Sequence, residues 1–294
     1  MNFKKITFDC KEEFDKYFKY TPYKSADYST AMVLLWSDFY EMEYAIVEDM
    51  LVFHDNEGDD GSFSYPIGNG DEKKALEAIM DYCKEKDIPF EINGILKETE
   101  EKMIQMFGDI FETEYDRDIA DYLYSSESLA TLKGKKLHGK RNHINRFKAD
   151  HDWSYEPLND ENALETITML MEWKMKNCSG EDEEEKEEIC AAKKALIYFK
   201  ELNLVGGVLR SEGRIVAFSV GEPINDKVFV VHFEKAFGEI QGTYAMINQQ
   251  FIQHEATEYE FINREEDLGE EGLRKAKLSY RPVELVEKGM LKYK

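Results

Sequence analysis

No stretch of the 294-residue chain approaches the roughly 18 consecutive apolar residues that a membrane span requires. The opening MNFKKITFDC also lacks the apolar core and small-residue cleavage site of a secretory signal. A cytoplasmic protein with no integral membrane segment is expected. Cysteine is scarce: Cys10, Cys83, Cys178 and Cys190 are scattered, with no CxxC pair. Neither a zinc site nor a disulfide framework is indicated, so no metal is expected and the thiols are predicted to be reduced and mostly buried. Positive charge is in deficit, with 38 Lys and Arg against 61 Asp and Glu and a formal net charge of -23. That balance repels nucleic acid and anionic membranes at long range and disfavours tRNA as a partner.

What is present is enough apolar material for real cores. The hydrophobic fraction is 42%, with 18 Phe and 17 Tyr, and the length suits two domains of ordinary size. The cations are also unevenly placed. Residues 1–130 carry -18 and residues 151–294 carry -11, whereas residues 131–150 carry +6. The acidic run GEDEEEKEE at 180–188 reads as a solvated loop or helix start. The basic stretch LKGKKLHGKRNHINRFKAD at 132–150 is therefore an island in an acidic chain.

Periodicity gives the order of elements. Phe14, Tyr17 and Phe18 recur at helical spacing, and MVLLWSDFY at 32–40 has the apolar density of a buried segment. YAIVEDMLVFHD alternates around a Glu-Asp turn, and GSFSYPIG follows the NEGDDG turn, which together predict a β-meander. DEKKALEAIMDYCKEKD places Leu76, Ile79, Met80 and Cys83 on one helical face. PFEING reads as a strand, KETEEKMIQMFGDI as a helix, and FETEYDRDIADYLY as a closing strand or pair of strands. The second half repeats this order. Helical stretches at 161–178 and 187–201 precede three strands within 204–236, then a helix bearing Ala245, Ile247, Phe251 and Ile252, a strand at 259–263, a helix EEGLRKAKLSY, and a terminal strand around VELVEKGMLKY. The pattern is an internal duplication of a meander, helix, strand, helix, strand unit. It predicts one domain over 1–130, a second over 131–294, and a basic linker helix at about 137–150.

Three strings carry a resemblance: DIADYLYSSESLATLKGKKLHGKRNHINRF at 118–147, FINREEDLGEEGLRKAKLSYRP at 261–282, and the glycine-turned hairpin at 205–221 between them. They are similar to the domain at the C-terminal end of phosphatidylglycerol lysyltransferases, over nearly the whole chain. The element order resembles the GNAT acyltransferase fold in the tandem, Fem-like arrangement. The resemblance implies an α/β (α+β) protein of two GNAT-like domains, the first degenerate, each a mixed, largely antiparallel sheet flanked by helices. It also implies transfer of an acyl or aminoacyl group to an amine or hydroxyl, with acyl-CoA or aminoacyl-tRNA as co-substrate and no covalently bound cofactor. A non-catalytic module that kept the fold and binds a small anion is the alternative.

Within that resemblance the donor is expected at the loop after the fourth strand, EKAFGEIQGTYAMI. There Gly238 and Gly242 permit close backbone approach, Gln241 and Thr243 can add hydrogen bonds, and Tyr244 opens the helix. The paired glycines usual in the family's donor loop are absent, and the other reading, the favoured one, is a turn that merely starts a helix. Acyl transfer needs a base and an oxyanion donor. Candidates facing the opening between fourth and fifth strands are His232 and Glu234 on one strand and Asn263, Arg264, Glu265 and Glu266 after the next. His232 suits a base because its ordinary pKa is near neutral, although a purely structural histidine is the favoured reading. Lys277 and Tyr280, three apart, are expected on one helical face, as catalytic groups or as part of a salt-bridged surface. The basic stretch reads as a helix with Ile144 and Phe147 inward. Lys140, Arg141 and Asn145 then either contact an anion or tRNA acceptor, or serve an interdomain structural role.

Overall fold

The computed structural model describes residues 1–56, 61–178 and 183–294. Most of the expected NEGDDG turn and the front of the acidic run 180–188 lie outside these residues. The chain divides into two compact units, one of Met1–Asp121, Glu266–Glu271 and Leu285–Lys294, the other of Tyr122–Glu265 and Gly272–Glu284. This division differs from a simple cut near residue 130, and the reason is strand exchange between the repeats, described below.

The first unit contains β1 (Lys4–Lys5), α1 (Lys11–Phe18), α2 (Thr30–Trp36), β2 (Glu43–Val47), β3 (Met50–Asp55), β4 (Ser62–Ser64), β5 (Ile67–Gly68), α3 (Glu72–Lys86), β6 (Glu91–Ile95), α4 (Lys97–Phe107) and most of β7 (Phe111–Ser125). β2 and β3 are antiparallel, with Val47 opposite Met50. Glu48 and Asp49 between them both adopt positive φ, the geometry of a two-residue hairpin turn. β4 then pairs parallel to β6, because α3 returns the chain to the same end. Asp71 caps α3 through its carboxylate on the Lys74 amide, and Leu76, Ile79 and Cys83 are buried against Phe63, Ile92 and Leu291.

The second unit holds α5 (Ser126–Thr131), α6 (His138–Asp150), β8 (Trp153–Pro157), α7 (Asp160–Asn177), α8 (Glu183–Ile197), β9 (Val205–Ser211), β10 (Arg214–Pro223), β11 (Val228–Ala236), α9 (Thr243–Glu255), β12 (Phe261–Asn263) and α10 (Glu271–Leu278, from Gly272 on). Its strand order is β8–β9–β10–β11–β12–β7, antiparallel except for the parallel pair β11 and β12. β8 carries no marked apolar alternation, which is why the sequence pattern does not reveal it.

Each meander, helix, strand unit is closed by the final strand of the other repeat. β6 of the first unit pairs with β13 (Glu284–Tyr293), the last strand of the chain, while β12 of the second unit pairs with the end of β7, Leu123–Ser125. Periodicity identified both closing strands but not their partners. Each unit is a mixed, largely antiparallel sheet flanked by helices, the tandem α/β architecture expected. Of the thiols expected to be mostly buried, only Cys83 is; Cys10 and Cys178 are half-buried and Cys190 is exposed.

Candidate functional site

The site belongs to the second unit and begins where β11 and β12 part. They pair only through Val228–Val230 and Phe261–Asn263, so the rest of β11 runs on without this neighbour. The register of β10 on β11 shifts between Val220 and Gly221, whose partners are Phe233 and Val231, leaving His232 as an extra residue. Such a bulge breaks strand alternation and re-aims the side chain. Gly221 is required there, since a Cβ would fall on the Val230 carbonyl oxygen.

Three buried ion pairs fill the expected opening. Glu234 accepts from Arg264 Nη2 at 2.9 Å, from Asn248 Nδ2 at 3.0 Å and from the Ser219 hydroxyl at 3.4 Å. His232 lies between Glu265, 2.8 Å from Nδ1, and Glu222, 3.2 Å from Nε2, with its side chain 1% exposed. Burial opposes its charge, but the two carboxylates outweigh that cost and raise its pKa to about 10. It is therefore an imidazolium at neutral pH, a poor proton acceptor, and it braces the loop after β12. Asn263 is also structural in its geometry, fully buried, with Oδ1 accepting from the Glu265 amide at 2.7 Å.

The accessible space lies beside this plug. A cleft of about 160 Å³ is lined by Lys140, His143, Gly238, Ile240, Gly242, Thr243, Tyr244, Ala245 and Tyr280. α9 opens on it, and the amides of a helix's first turn have no intrahelical partners and carry the positive end of the dipole. Thr243 is buried, its hydroxyl donating to the Ile240 carbonyl at 2.6 Å; Tyr244 is partly exposed, and its hydroxyl lies 3.3 Å from Trp173 Nε1. Gln241 is exposed and outside the lining. Gly242 adopts φ +94° as the N-cap of α9, and a Cβ there would come within 2.5 Å of the His143 carbonyl oxygen and 3.2 Å of Phe147 Cβ. Replacing Gly242 by Ala is expected to cost about 1–3 kcal/mol in chemical denaturation through overpacking and the forced left-handed backbone.

The same contact accounts for the basic island. α6 packs on the start of α9 within the second unit, with Ile144 and Phe147 buried as expected, and brings Lys140 and His143 to the cleft. Lys140 Nζ lies 3.8 Å from the centre of the Tyr280 ring, and the Arg264 guanidinium lies 5.0 Å from that same ring. Burial and the Arg264 charge, partly offset by Glu234, push Lys140 down to about 8. Tyr280 is buried, and its phenol is raised by that burial. Arg141 faces elsewhere: its guanidinium donates to the carbonyls of Leu132 and Gly134, closing the loop before α6. Asn145 is exposed and does not line the cleft.

Lys277 and Tyr280 do not share a helical face, because α10 ends at Leu278. Tyr280 sits in the following turn, its amide donating to the Lys277 carbonyl at 3.1 Å, while Lys277 Nζ lies 5.8 Å from the Tyr122 ring. Sequence reasoning missed His143, whose i, i+3 relation to Lys140 was a usable signal, and Ile240 and Ala245, which carry none. Among the described residues no cluster of three or more His, Cys, Asp or Glu could hold a metal ion, and no helix is long and apolar enough to cross a membrane.

Two units of meander, helix and strand, the second with its parallel pair β11 and β12 parting beside the N-terminus of α9, make a tandem GNAT-type fold. The chain belongs to the family described as "Phosphatidylglycerol lysyltransferase, C-terminal", whose model matches residues 18–292. A conserved protein of unknown function from Bacteroides thetaiotaomicron is 38% identical with a TM-score of 0.94, covering 100% of both chains. The L-PGS structure from Bacillus licheniformis is 17% identical at TM-score 0.67, over 97% of this chain and 91% of that one. A tandem GNAT protein from the clavulanic acid biosynthesis pathway is 7% identical at TM-score 0.50, over 99% and 97%. Among curated proteins, MYCGA3080 of Mycoplasmoides gallisepticum is 24% identical over 190 residues, 62% of this chain and 60% of that protein's length.

Proposed function

We propose that the protein transfers an acyl or aminoacyl group from an activated donor, an acyl-CoA thioester or an aminoacyl-tRNA ester, to an amine or hydroxyl acceptor. The observation that carries this reading is the cleft where Lys140, Tyr280 and the Gly238–Gly242 loop converge on the N-terminus of α9, in a chain of a family described by a lysyl transfer. A helix N-terminus favours negative charge, whether a donor phosphate or the oxyanion that develops on an attacked carbonyl. The local positive charge of α6 offsets the repulsion that the whole chain exerts on such a donor.

The purified protein, incubated separately with radiolabelled acetyl-CoA and with lysyl-tRNA in the presence of primary amines and phosphatidylglycerol vesicles, is expected to consume one donor at least about tenfold faster than the uncatalysed loss. Absence of turnover with both donors counts against the reading. A second reading, a ligand-binding module without turnover, is favoured by one feature: Gly242 is used to seat α6, so this glycine serves helix packing where a donor loop would use it for close ligand approach. Saturable donor binding without chemistry would select that alternative.

A further inference from the structure

Lys140 is half-buried at the cleft. No carboxylate lies within 4.0 Å of its ammonium among the described residues, although Asp and Glu outnumber Lys and Arg overall. Glu234, the carboxylate whose charge acts on it, is already occupied by Arg264, Asn248 and Ser219. Lys140 instead rests on the Tyr280 ring, whose other cationic neighbour is Arg264, so the two compete for one quadrupole. The groups facing it are His143 from its own helix, Tyr244 from α9, Tyr280 from the turn after α10, Arg264 after β12, and Glu234 on β11. Burial beside the Arg264 guanidinium makes this ammonium give up its proton more readily than an ordinary lysine does, at the edge of a cleft that can admit an acceptor.

We propose that Lys140 is the general base of the transfer reaction, a role that rests on the transferase reading above. As the acceptor nitrogen or oxygen attacks the donor carbonyl carbon and the new bond forms, the neutral Nζ takes the proton from that atom. The tetrahedral intermediate then collapses, the C–O or C–S bond to the donor breaks, and the proton passes from the Lys140 ammonium to the departing oxygen or sulfur. His232, held charged between two carboxylates, takes no part in this transfer.

The test has two arms on the full chain. Competitive labelling with isotopic acetic anhydride, read by mass spectrometry across pH, is expected to give Lys140 a midpoint near 8, against about 10.4 for an ordinary lysine; a midpoint at or above about 10 overturns the proposal. In turnover assays with the donor that wild type uses, Lys140→Met and Lys140→Arg are both expected to lose at least about 100-fold in kcat, with little change in KM and loss of the acidic limb of the pH profile. Turnover of Lys140→Arg within about tenfold of wild type overturns the base role while leaving the transferase intact, since it would identify a charge that only binds. Wild type inert towards every donor overturns the transferase reading and the base role with it, whatever the labelling midpoint.

Discussion

Replacing Lys288 by Met is expected to destabilise the first unit by about 3–5 kcal/mol, read as a lower midpoint in urea denaturation. Lys288, 5% exposed at its side chain, lies 2.9 Å from Asp27, 2.9 Å from Asp121 and 3.4 Å from Glu266. Asp121 is fully buried and also accepts from the Ala26 amide at 2.8 Å. Burial penalises the Lys288 charge, but three surrounding carboxylates hold its pKa well above the ordinary lysine value. Removing the ammonium leaves those carboxylates facing one another in a low-dielectric setting, where Asp27 is already raised by burial and by Asp121. Converting Asp121 to Asn in the same chain should recover part of the loss, because the shape is kept and one charge is gone. A loss below about 1 kcal/mol would reduce this cluster to the rank of a surface pair.

His232→Gln is the second large effect, and its size should depend on pH. The folded pKa of His232 is raised to about 10, above the ordinary value near 6.5. A raised histidine contributes stability that is fully present below the unfolded pKa and is lost as pH rises through the folded one. The stability difference between wild type and variant is therefore expected to be about 3–5 kcal/mol at pH 6, to shrink steadily from about pH 6.5 upward, and to be largely gone beyond pH 10. Urea denaturation at several pH values would measure it. A difference that stays flat from pH 6 to pH 10 would show that His232 is not an imidazolium in the fold.

These two residues also mark what sequence could and could not reveal. His232 was legible as a polar residue ending a strand of apolar ones, and its chemistry suggested a base. The bulge at Gly221 turned it instead between Glu222 and Glu265, a consequence of strand register that no local pattern encodes. Lys288 gave no signal, since its partners lie 261, 167 and 22 residues away along the chain.

The amino-acid order by itself determined the elements and their repetition. Helical spacing at Leu76, Ile79 and Cys83, the left-handed Glu48–Asp49 turn and the inward pair Ile144 and Phe147 all follow from interactions within a few residues, so local chemistry suffices. Tertiary structure alone decided that β13 closes the first unit and β7 the second, that ion pairs fill the gap beside β11, and that α6 delivers Lys140 to the N-terminus of α9. Strand pairing and charge pairing depend on which distant segments come together in space, and that is set by the packing of the whole sheet.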